Sequence, residues 1–167
     1  GCAMADVLSV TLDGVEDLKQ ALADAATTIR TKAVRGALRE AGKVIQAAAR
    51  AAAPVLKVPT VRRSVGTVKK NILVRASKFA RQAGDEGVYI NVRGIRGKAR
   101  VKKLGRGGAR NPNDPYYWQF LEFGTRKMAA RPFLRPAATS KGPEAIRKFM
   151  DSVVPQIEKL NARKPSK

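Results

Sequence analysis

The chain has 167 residues, and 34 Lys plus Arg against 13 Asp plus Glu leave a formal charge of +21, with no histidine to adjust it. That excludes histidine triads, histidine general bases and imidazole-bound zinc, and the single cysteine, Cys2, excludes an internal disulfide. At 44% apolar and 28% charged, the composition is that of a globular chain long enough to bury a core without staples. Gly1 to Ala3, ahead of Met4, read as an expression scar. Residues 4–160 read as one domain, and residues 161–167 as a basic tail without an apolar face. No stretch has the run of about 18 uncharged apolar residues that a membrane span needs, and no signal-peptide pattern opens the chain, so a soluble cytosolic product is expected.

The first element is a short strand, where Leu8, Val10 and Leu12 alternate with Ser9 and Thr11. Asp13 then stands as a helix cap with Glu16 three residues on. Leu18, Leu22, Ala25, Ile29, Leu38, Ala41, Ile45, Ala48 and Ala52 recur at helical steps up to Pro54. An unbroken helix over 15–53 would run about 58 Å at 1.5 Å per residue, so a bend is expected near Thr27, Thr28 and Thr31. Alanine fills 13 of residues 21–53, so something bulkier must cover this helix.

Val55 to Lys70 reads as loop. Ile72–Phe79 and Val88–Arg93 alternate as strands of an antiparallel hairpin turned at Gly84-Asp85-Glu86-Gly87. Asp114 and Pro115 suit the start of a helix and Gly124 its end, although Trp118, Phe120 and Glu122 also alternate as on a strand. The final helical region follows Arg131-Pro132-Phe133-Leu134. Its best part is Pro143–Leu160, with Ile146, Phe149, Met150, Val153 and Ile157 on one face and a kink expected at Pro155. These elements predict an α+β fold: a small antiparallel sheet packed against a long bent N-terminal helix and a C-terminal helix.

Charge is distributed unevenly. Residues 54–113 hold 16 basic and 2 acidic side chains, a net of 16 − 2 = +14 out of +21. Within them, residues 94–113 contain seven cations, six Gly or Pro and no acid, and read as a flexible basic loop. With Arg93 at its root it presents Arg96, Lys98, Arg100, Lys102, Lys103, Arg106 and Arg110 as candidate contacts for nucleic acid. Such contacts would bind phosphate without reading sequence and would weaken steeply with salt. A solvated loop or an acidic protein partner would suit the same charges.

The aromatics crowd elsewhere, at Tyr116, Tyr117, Trp118, Phe120, Phe123 and Phe133, and should anchor the core. Gly124 lets the chain turn and Pro132 presets the next helix, so Phe123, Phe133 and Leu134 are expected beneath a fixed corner. Glu122 has Arg126, Lys127 and Arg131 at hand, or a helix-terminal amide, to hold its carboxylate. Asp114 is better suited to a cap. A hydrolase centred on Glu122 lacks a visible second catalytic group, and no metal or cofactor signature is present.

The run Tyr117-Trp118-Gln119-Phe120-Leu121-Glu122-Phe123-Gly124-Thr125, followed by Met128-Ala129-Ala130-Arg131-Pro132-Phe133-Leu134-Arg135-Pro136-Ala137, resembles the tail-completion or neck family of long-tailed bacteriophages. The matching positions are Glu122, Phe123, Gly124 and Thr125, then Arg131, Pro132 and Phe133. The resemblance extends more weakly over most of the chain, but the long basic loop departs from it. It implies a non-enzymatic virion component, assembled in the host cytoplasm and located in the tail or neck. Such a component would join head to tail beside other tail and connector proteins, often as a homo-oligomeric ring through whose axis the phage DNA passes, with no membrane involved.

Overall fold

The computed structural model describes residues 15–24 and 27–162. The expected scar, the Val7–Leu12 strand, the Asp13 cap and the last five residues of the basic tail lie outside the described residues. The apolar steps that begin at Leu18 form two helices, α1 (Val15–Asp24) and α2 (Thr27–Ala52), divided just before the threonines that mark the expected bend. Pro54 halts α2, since it can neither donate to the ladder nor fit against the preceding turn.

At the other end of the chain Leu134–Ala162 forms one long helix, here called α7 because four short helices lie between it and α2; it continues through both Pro143 and Pro155. α7 runs antiparallel to α2, as the two core clusters show. Ala49 of α2 and Ala53 just beyond its end join Ala137 of α7 in one cluster, whereas Ile29, Ala33 and Ala37 meet Val153 and Ile157 in the other. The buried stripe Ala33, Ala37, Ala41, Ala49 and Ala53 supplies little bulk. It lets α7 come close, and the larger side chains on α7 and Leu18 on α1 fill the seam.

Between the long helices lie the short ones and the sheet: α3 (Thr67–Asn71), β1 (Ile72–Ala76), α4 (Lys78–Gln82), β2 (Val88–Val92), α5 (Lys98–Leu104) and α6 (Trp118–Phe123). The strands pair antiparallel, Ile72 opposite Val92, Val74 opposite Ile90 and Ala76 opposite Val88. Ile72 and Val92 of this set enter the core, and Gln46 and Arg50 of α2 fix the strand by donating to the Ile72 carbonyl at 2.7 and 2.9 Å. By the two-residue period of a strand, Leu73, Arg75, Tyr89 and Asn91 turn the other way. The α+β architecture read from the sequence is the one observed.

Three expectations are corrected. The first strand ends at Ala76 and not at Phe79, because the Ser77 hydroxyl accepts from the Ala80 amide and caps α4, leaving Phe79 exposed. The stretch 55–70 is not all loop, since α3 begins at Thr67, whose hydroxyl donates to the carbonyls of Ser64 and Pro112. The basic stretch 94–113 is not a uniformly flexible loop either, because α5 occupies its middle.

Candidate functional site

The aromatic corner is built outward from Glu122, whose side chain is 1% exposed. α6 ends at Gly124, which adopts φ +75°, and a Cβ there would meet the Ala130 nitrogen and the Met128 oxygen at 2.9 Å. Glycine is therefore required on both conformational and steric grounds. The chain then closes a tight turn, the Thr125 amide donating to the Met128 carbonyl at 2.8 Å and the Met128 amide returning a bond at 3.2 Å. The Arg131 amide next donates to the Leu121 carbonyl at 2.7 Å, which brings the start of α7 over the end of α6.

Glu122 completes the corner. Its Oε2 accepts from the amides of Phe133 and Leu134 at 2.8 and 3.0 Å, and its Oε1 from the amide of Arg135 at 3.0 Å. These are donors that the first turn of a helix leaves without an intrahelical partner, and the helix dipole favours an anion there. The Arg135 guanidinium lies 3.5 Å from Oε1 and also donates to the Glu122 carbonyl. Burial pushes the Glu122 carboxyl up, but the three amides and Arg135 outweigh it and hold it below the usual carboxylate range.

The expected helix-terminal amides are thus the partners of Glu122, while its arginine is Arg135 in place of Arg126, Lys127 or Arg131. The Leu-Arg pair after Pro132-Phe133 is the available signal, since it places a cation in the first turn of the new helix. Pro132 lies two residues before α7 and does not start it. Phe133 is fully buried and Tyr117 nearly so, but Phe123 is 61% exposed, contrary to expectation, with the Arg135 guanidinium 5.1 Å from its ring centroid. Phe120 and Met128 are exposed as well. Phe120 and Phe123 are three positions apart, so both rings occupy one face of α6.

The second buried acid, Asp114, is not a helix cap. Tyr117 holds the cap position of α6. Asp114 instead accepts from the amides of Ile95 and Gly108 at 3.3 and 2.7 Å and folds the basic segment back on itself. A Cβ on Gly107 would lie 2.5 Å from its Oδ2, so this glycine serves close approach. Arg100 reaches from α5 to the Asn71 side-chain oxygen and, at 3.5 Å, to the Arg93 carbonyl. Burial and the neighbouring positive charge of Arg93 lower its pKa. Arg100 is therefore a strut, while Arg96, Lys98, Lys102, Lys103, Arg106 and Arg110 are exposed and Arg93 is half-buried.

Taken together these contacts define a small basic α+β domain whose buried polar side chains, Thr67, Asp114 and Glu122, all bind backbone and hold its corners. A family model described as "Bacteriophage HK97-gp10, putative tail-component" matches residues 9–124, and the chain belongs to that family of phage tail proteins. The matched span includes the end of α6 and stops at Gly124, before the turn into α7. No curated protein and no solved structure matches the chain. Among the described residues no group of His, Cys, Asp and Glu is placed to hold a metal ion, and no helix is long and apolar enough to cross a membrane.

Proposed function

We propose that this phage tail component is a non-enzymatic assembly protein that completes the tail and joins it to the head, acting as one subunit of a ring. The observation that carries this reading is the exposed apolar pair Phe120 and Phe123 on a corner that Glu122 and Gly124 make rigid. An apolar face fixed in this way has little conformational freedom to lose when it docks, which favours recognition over a mobile loop. The charge of +21 keeps isolated copies apart, so the ring forms on a template supplied by neighbouring tail or connector proteins, and a monomer in free solution is compatible with the role. The decisive experiment is electron microscopy of a phage lacking this gene. Filled heads and separate tails are expected; normally joined particles would rule the role out.

The exposure of Arg96, Lys98, Lys102, Lys103, Arg106 and Arg110 favours a second reading, sequence-independent binding of nucleic acid. Within a ring the two readings are compatible, because cations lining the axis would attract the genome's end without reading it.

A further inference from the structure

The sheet face turned away from α2 opens into a cleft of about 390 Å³, lined mainly by polar and charged groups. Arg75 of β1, Asn91 of β2, Arg93 and Arg96 beyond it, and Trp118 and Gln119 of α6 line it. Ligand clefts for neutral small molecules are mainly apolar with a few polar groups, so this lining points to a charged ligand.

The charge here is not balanced from within. Among the described residues Arg75, Arg93 and Arg96 form no ion pair. The one acid in the cleft, Asp114, already has each oxygen engaged by a backbone amide. Arg75 finds only the ring of Tyr89, 5.7 Å from its guanidinium. Burial and then Arg93 disfavour the charged form of the neighbouring Arg100, Asp114 partly offsets them, and Arg75 adds to the disfavour, so several cations share one acid at this end of the sheet.

We propose that this cleft is the anchor of a DNA-binding surface, in which Arg75, Arg93 and Arg96 take consecutive phosphates of the sugar–phosphate backbone. A phosphate accepts from a guanidinium through two oxygens at once, so three such groups suit repeated anions better than a single carboxylate. From Arg96 the chain passes directly into α5, whose exposed Lys98, Lys102 and Lys103 extend the cationic track outward. That extension favours a polyanion over a small anion. Trp118 beside the arginines adds an aromatic wall against which a sugar or base can lie. The inference rests on the nucleic-acid reading above and locates its centre on the sheet, with the basic segment as an outer rim.

The test uses the purified full chain and random-sequence DNA, single-stranded and duplex, with affinity measured across a salt series. The variant R75Q/R93Q/R96Q is compared with R39Q/R147Q/K148Q, which removes the same charge from exposed positions on the two long helices. The cleft variant is expected to bind at least tenfold more weakly than this control, with a salt slope on duplex DNA shallower than wild type by about 2 to 3, as three lost phosphate contacts require. R96Q alone changes an exposed side chain and so spares the fold; it should flatten the slope by about 0.9. Equal losses in the cleft and control variants, or an unchanged slope for R96Q, would overturn the proposal. So would a loss confined to K98Q/K102Q/K103Q, although that result would leave the nucleic-acid reading standing. Polyglutamate that competes with DNA at equal charge would also overturn it and indicate an acidic protein partner.

Discussion

Glu122 and Asp114 are both buried acids that accept from backbone amides, yet what they hold differs. Glu122 gathers three amides and a guanidinium at the first turn of α7, where Phe133 enters the core. Asp114 gathers two amides from a surface segment that is rich in cations and poor in apolar contacts. The same chemistry therefore secures the body of the domain in one place and the shape of its charged surface in the other. Perturbing the first corner should cost global stability, and perturbing the second should loosen the surface while the body stays folded.

Phe133→Ala should have the largest effect. Its ring is fully buried between the helices and the sheet, and removing it should cost about 3 to 5 kcal/mol, read as a lower midpoint in urea unfolding. An unchanged midpoint would remove Phe133 from the core.

Glu122→Gln comes next, at about 1.5 to 3 kcal/mol, because hydrogen bonds to a charged acceptor are the strong ones. Its pH dependence is distinctive. The folded pKa lies below the unfolded value of about 4.3, so the stabilisation is present above that value and is lost as pH falls through the depressed folded pKa. The stability gap between wild type and Glu122→Gln should therefore narrow as pH falls below the unfolded value and through the depressed folded one. A gap that stayed constant would mean that the carboxylate's charge contributes nothing.

Gly124→Ala should cost about 1 to 3 kcal/mol in the same assay, since it combines φ +75° with a backbone clash. Asp114→Asn sharpens the contrast between the corners. Its melting temperature should shift little, while amides from Ile95 to Gly108 exchange faster with solvent. If protection fell in the core as well, the two corners would not be separable.

The sequence shows most of this where the determinants are local. Pro54 marks the end of α2, alternation over Ile72–Ala76 and Val88–Val92 reveals the sheet, and Gly124 with Pro132 announces a corner. Glu122 between a helix end and a new helix start already suggests amide partners. Other features depend on distant residues. Arg100 is an exposed-looking cation in a basic run until Asn71, 29 positions earlier, becomes its partner. α5 offers only Ala99, Val101 and Leu104 as apolar residues, too few to give a periodic signal. Residue type alone assigns Phe123 to the core, yet one face of α6 must point outward, and only the packing of Tyr117 and Phe133 decides which. The cleft is not legible in the sequence because Arg75 lies on a strand, 18 residues from Arg93, and belongs to no local cluster.

In the role proposed above, the Glu122 corner presents Phe120 and Phe123 to a neighbour in the particle. The most direct test is to complement a phage that lacks this gene with Phe120→Ser/Phe123→Ser and count joined particles by electron microscopy. Both rings are exposed, so the purified variant should keep its stability to within about 1 kcal/mol. The result expected is a folded protein that leaves heads and tails apart; a normal yield of joined particles would contradict the claim.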